Sequence, residues 1–277
     1  MSASHPSQPS YASQPSYAVV IPTLGRPNLR TCLRALADGT GPAARRIVLV
    51  DDRPPGAGIT TPTESGMTSV QAAIPAELAD RTVVLRGGGR GPAAARNTGW
   101  WAVEQEAETE AEAELAADAE VEWIAFLDDD TVPSATWAED LAADLAGAAP
   151  DVAGVQGRIT VPLPADRRPT DWERGTAALA GSRWITADLA YRLAALRDVA
   201  GFDERLRRAY REDADIALRM FDAGWRLERG RRETVHPVRP GRFWASVRSQ
   251  AGNADDVLMR RLHGPHWRED CGAPRGR

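Results

Sequence analysis

Four short apolar runs punctuate the first half of the chain: "YAVVIPT", "RRIVLVDD", "RTVVLRGG" and "EWIAFLDDD". Each is short and bounded by turn-forming or acidic residues, which predicts strands. The second and third are continuous enough to be buried on both faces. Between the first two runs, "LGRPNLRTCLRALAD" places Leu29, Cys32, Leu33 and Leu36 at helical spacing. Beyond Gly91 the pattern is helical again, with Ala93, Ala94, Ala95 and the pair Trp100 and Trp101. "VEQEAETEAEAELAADAEVE" then has good helix propensity but little apolar face, which predicts a solvated helical extension. Strands alternating with helices imply an α/β fold, a mostly parallel central sheet covered on both sides.

Downstream, "DVAGVQGRITVPLP" predicts a strand with a proline-rich exit. "GSRWITADLAYRLAALRDVAGFDERL" predicts a short strand and then a helix stopped by Gly201. "REDADIALRMFDAGW" is an amphipathic helix whose apolar surface comes from Ile216, Leu218, Met220 and Phe221. Residues 1–16 are polar and proline-rich, with "SQPSYA" repeated from Ser7 to Ala18, and cannot bury enough apolar area to offset the cost of ordering. The division expected is therefore a disordered segment 1–16, one domain 17–240, and a C-terminal helical segment and tail 241–277.

Composition narrows the chemistry. At 277 residues the chain can bury a substantial core, and its net charge of -5 gives no global footprint for nucleic acid. The basic residues are all arginine. Without lysine, neither a Schiff base nor the usual P-loop can form. Cys32 and Cys271 stand far apart, so a reducing compartment is expected. With no secretion signal and no membrane-length apolar run, the expectation is cytoplasmic residence, peripheral contact at the inner face of a membrane being left open.

The acids at strand ends carry the strongest functional signal, because ligands of parallel sheets bind outside the C-terminal strand ends. Asp128, Asp129 and Asp130 terminate an apolar strand, where a hard divalent cation such as Mg²⁺ or Mn²⁺ finds carboxylate oxygens. Asp51 and Asp52 end an earlier strand and suit either a base or ribose contact or a turn cap before Pro54. "RGGGRGPAAARNTG" is glycine-rich before a helix. It lacks the dinucleotide-binding register, because Pro92 stands where the third glycine belongs, though a backbone anion nest fits, with Arg96 and Asn97 further along. Glu212, Asp213 and Asp215 lie at a helix start, where they either favour the macrodipole or supply a general base. His236 in "VHPVRP" is either a structural histidine or a metal ligand.

Taken in order, "VVIPTLGRP", "VDD", "GPAAARNTG", "FLDDD", "GFDE" and "REDADIALR" resemble the family 2 glycosyltransferases of the GT-A fold, over about Tyr17 to Pro240. The resemblance implies a Rossmann-like three-layer α/β/α architecture and a metal-dependent, inverting transfer of a sugar from a nucleotide-diphosphate donor of UDP, GDP or dTDP type to an acceptor hydroxyl. It assigns Pro22, Thr23, Arg26, Asp51, Asp52, Arg96, Asn97, Asp128 and Asp129 to the nucleotide sugar. Asp128, Asp130 and His236 would hold Mn²⁺ or Mg²⁺. Asp213 matches the catalytic base, beside Glu212, and Asp188, Gly201, Phe202, Asp203 and Glu204 lie on the acceptor side. "VDDRP" replaces the more usual "VDDGS", and Asp188 stands where relatives often carry asparagine. The alternatives are a phosphatase of the haloacid dehalogenase type, which "FLDDDTV" partly fits, and a non-catalytic nucleotide-sugar binding protein. A nucleotidyltransferase would want a basic residue, usually lysine, against the triphosphate.

Overall fold

The computed structural model describes residues 14–55, 69–112, 121–239 and 250–272. Most of the expected N-terminal disordered segment, positions 113–120 of the acidic helix and positions 241–249 lie outside the described residues.

The four expected strands form: β1 (Tyr17–Thr23), β2 (Arg46–Asp51), β3 (Thr82–Arg86) and β4 (Trp123–Leu127). They lie side by side in the order β3-β2-β1-β4, all parallel. Helix α1 (Asn28–Asp38) carries the chain from β1 to β2, and α2 (Pro92–Glu112) from β3 to β4. Beyond β4 the sheet continues through β7 (Asp188–Arg192), β6 (Val152–Thr160), β8 (Arg226–Val235) and the two-residue β5 (Val132–Pro133). Here β7 runs antiparallel to β4 and β6, β5 antiparallel to β8, and only β6 and β8 pair in parallel. The remaining α-helices among the described residues are α3 (Trp137–Ala146), α4 (Asp171–Ala177), α5 (Leu193–Asp198), α6 (Glu212–Asp222), α7 (Asp255–His263) and the single turn α8 (Trp267–Asp270).

Strand alternation sorts the core onto two faces. Val19, Ile21, Leu49 and Leu127 point to one side, against Leu29, Cys32 and Leu33 of α1 and Trp137 and Leu141 of α3. Ala18, Val20, Val48 and Phe126 point to the other, against Ala93, Ala95 and Trp100 of α2 and Ile216 and Met220 of α6. The result is the expected three-layer α/β/α arrangement. Two details differ from the sequence expectation. β3 is an edge strand with Val83, Val84 and Leu85 only half-buried, since no strand among the described residues covers its far side. β8 was hidden by charge: "RLERGRRETV" reads as polar, yet Leu227 is buried and, past a register shift, Arg232 and Thr234 are buried together on one face.

Register decides where function can sit. Thr23 pairs with Asp51 and Asp51 with Arg86, so the C-terminal ends of β1, β2 and β3 are level, and Asp128 follows the last residue of β4 at the same edge. The turns there bring Thr23, Asp51, Asp52 and Asp128 to Asp130 along one rim.

Candidate active site

The three consecutive aspartates do not act as one group. Asp129 turns toward β1, where Thr23 Oγ1 donates to its Oδ2 at 2.7 Å, Leu24 N approaches at 3.4 Å and Arg26 lies 3.6 Å from its Oδ1. Burial raises its pKa, opposed by the Thr23 hydrogen bond. Asp128 and Asp130, two residues apart, meet His236 at the end of β8, and one ligand atom from each lies within 4.8 Å of the others. His236 Nε2 is 3.6 Å from Asp130 Oδ1, and its backbone N–H is fixed to Thr160 O at 2.8 Å. The buried Nδ1 of the same ring has no hydrogen-bond partner among the described residues. Two carboxylates and an imidazole with an unused nitrogen suit a hard divalent cation.

Arg96, from the first turns of α2, is buried between the acids. It donates to Asp128 Oδ1 at 3.1 Å and Glu212 Oε1 at 3.0 Å, and lies 3.8 Å from Asp213 Oδ1. Burial opposes its charge, but Asp213, Asp128 and Glu212 together hold its pKa above the ordinary arginine value. Glu212 opens α6, accepting from Arg96 and from Tyr210 N at 2.7 Å. Burial pushes its pKa up to about 8, the neighbouring Asp213 charge adding to the effect and Arg96 opposing it. Asp213 is raised by burial too, again against Arg96. Thr186 Oγ1 donates to Asp213 Oδ1 at 2.6 Å, and the Thr186 backbone also bonds the carboxylate.

The remaining expected residues have different surroundings. Asp51 is fully engaged by Arg53, at 2.7 and 2.6 Å, and by Arg86 at 3.2 Å; burial would raise its pKa, and these arginines lower it instead. Asp52 accepts from Arg90 N at 3.0 Å and Gly91 N at 2.9 Å, which ties the glycine-rich turn to β2. Asn97 clamps the "GFDE" segment rather than facing the cleft: it donates to Phe202 O and Glu204 and accepts from Phe202 N and Trp100 Nε1. Gly201 is required at this clamp, because its φ is +68° and a Cβ would lie 2.5 Å from Asn97 Oδ1. Phe202 packs edge-on against Phe126, and Asp203 pairs with Arg205. Asp188, expected on the acceptor side, is corrected to an interior role: it is fully buried and bonded to Trp137 Nε1, Arg232 Nε and Thr234 Oγ1, with no surface left for a substrate.

Two cavities open along the rim. The first, about 470 Å³, is lined by Pro22, Thr23, Arg26, Asp52 and the three aspartates. The second, about 420 Å³, is lined by Trp172, Leu179, Ile185, Asp213 and His236 among others. Arg96, Asp128 and Arg239 belong to both, so Asp128 stands on the wall between them. Sequence reasoning missed Arg239, whose Nε lies 2.8 Å from Asp130 Oδ2 and whose carbonyl accepts from Trp172 Nε1. The only hint was its place three residues after His236. Thr186 gave no signal, since a threonine two residues before a strand has many uses.

Residues 123–251 match the family described as glycosyl transferase family group 2, a span that contains the aspartate run, "GFDE", "REDAD" and His236. The chain belongs to the family 2 glycosyltransferases. It is 30% identical, over an alignment of 243 residues, to the pre-mycofactocin glycosyltransferases of Mycobacterium tuberculosis strains CDC 1551 and H37Rv. The alignment covers 82% of this chain and 43% of those relatives, so the family 2 chain spans less than half of their length. Among solved structures it is similar to the mannosyltransferase PcManGT from Pyrobaculum calidifontis in complex with GDP-Man and Mn²⁺. The TM-score is 0.55 and the identity 19%, covering 89% of this chain and 65% of that one, a likeness of fold. Family membership sets the phosphatase alternative aside. Among the described residues, no helix is long and apolar enough to cross a membrane.

Proposed function

We propose that this chain catalyses inverting transfer of a sugar from a nucleotide-diphosphate donor to an acceptor hydroxyl, dependent on Mn²⁺ or Mg²⁺. One observation carries the reading. Asp128 stands between two cavities, with the Asp130–His236 pair beside it and Asp213 in the second cavity. The first cavity would take the nucleotide and diphosphate, the second the acceptor. Asp128, Asp130 and His236 would hold the cation, which when bound stabilises the charge that builds on the departing diphosphate.

The chain's own groups account for the rest. Arg96 fixes Asp128 and Glu212 relative to each other, so the wall between donor and acceptor is rigid. Asp213 takes the proton from the acceptor hydroxyl. Its raised pKa makes it a stronger base than a solvated carboxylate, and the Thr186 hydroxyl on Oδ1 holds it in place. Attack from the side opposite the leaving group inverts the anomeric carbon, as in inverting glycosidases. A diphosphate needs no protonation to leave, so a single base suffices.

Titration with UDP, GDP, dTDP and CDP by calorimetry, each with and without Mn²⁺, tests the reading. Mn²⁺-dependent binding of one of them is expected. A folded protein that binds none of the four would overturn it.

A further inference from the structure

We infer that Arg207 is the residue that binds the donor's diphosphate, resting on the reading of the first cavity as the nucleotide site. Five arginines line that cavity: Arg26, Arg90, Arg96, Arg207 and Arg239. Four already face acids: Arg26 faces Asp129, Arg90 faces Glu204, Arg96 faces Asp128 and Glu212, and Arg239 faces Asp130. Arg207 has no carboxylate within ion-pair distance among the described residues, and it is exposed. In a chain without lysine, it is, among the described residues, the cation of this cavity whose charge is not already compensated. A diphosphate brings multiple negative charges and acceptor oxygens, and an uncompensated guanidinium answers them with a bidentate fork.

The backbone fixes where that cation stands. Leu206, one residue before, is fully buried in a cluster with Leu218, Met259 and Trp267. Arg208, one residue after, donates to Asp255 of α7 at 2.7 Å. On the cavity side the Arg207 carbonyl lies so close to Gly91 that a Cβ there would approach it to 2.3 Å, while Gly91 itself has a φ of +101°. Its own N–H is held by Asp52. The segment is therefore pinned to the C-terminal helix behind and to the glycine-rich turn in front. From this segment Arg207, exposed to solvent, lines the cavity five residues before Glu212.

Calorimetry on wild type, Arg207→Ala and Arg207→Lys, all with Mn²⁺, tests this with UDP, GDP, dTDP and CDP and the four matching monophosphates. For whichever base binds, Arg207→Ala should weaken the diphosphate on the order of 10-fold or more. The monophosphate should change by less than about threefold, and Arg207→Lys should fall between wild type and alanine. Because the side chain is exposed, the variants should keep the wild-type thermal midpoint. Unchanged diphosphate affinity in Arg207→Ala, or equal weakening of both phosphates, would overturn the assignment while leaving the nucleotide site intact. Wild type that binds none of the eight nucleotides would overturn the nucleotide reading and this inference together.

Discussion

Two clusters of buried charge lie on either side of the β4–β7 pair, and they are built to opposite ends. Around Asp188, every polar atom is answered: Trp137, Thr234 and Arg232 bond its carboxylate, and Arg232 also donates to Val155 O and lies 3.3 Å from Asp144. Around Asp128 the accounts are open. Asp128 keeps 34% of its side chain exposed, and Arg96 Nε and His236 Nδ1 are buried without a partner among the described residues. A buried polar group costs stability unless it is bonded, so a fully satisfied cluster serves the fold. An unsatisfied one at a cavity wall is tolerated where a ligand completes it. That difference separates a structural aspartate from a functional one where residue type cannot.

The comparison can be broken from either side. The largest effect is expected at the closed cluster. Asp188→Ala leaves Arg232 buried with Asp144, at 3.3 Å, as its remaining carboxylate among the described residues, and should cost about 3 kcal/mol or more, read from the urea midpoint. Asp213→Asn should instead leave the midpoint near wild type and nucleotide binding unchanged, while turnover falls on the order of 100-fold or more. A variant that turns over normally would remove Asp213 as the base. Asp130→Ala should abolish the Mn²⁺-dependent part of nucleotide binding, a loss of roughly 10-fold or more, and leave the metal-free titration unchanged.

The smallest effect is a slope with pH. The folded-state pKa of Glu212 lies at about 8, above its unfolded value, so the native state holds this proton after the unfolded state has lost it. Its contribution to stability is thus full below about pH 4.5 and is lost as pH rises toward 8. Glu212→Gln should flatten urea-derived stability between those values, and an unchanged slope would mean that Arg96 keeps the carboxylate ionised.

Much of the fold was legible. The apolar runs became β1 to β4 and the helical spacing of Leu29, Cys32 and Leu33 became the buried face of α1, because burial imposes those periods. β8 escaped, since an arginine-rich strand shows its alternation only when Arg232 has a buried partner waiting. In the site, the outer aspartates and His236 were named and do converge. Asn97 and Asp188 were named with them, and the structure uses both to hold its own backbone and side chains.

What the sequence determined by itself is the alternation of elements and the presence of acids at strand ends, both consequences of short-range pattern. Which acids stay open, which arginine lacks a partner, and which residues share a wall between two cavities were decided only in three dimensions. Arg96 meets Glu212 across 116 positions and Thr23 meets Asp129 across 106. Charge compensation depends on distance in space, and no spacing along the chain encodes it.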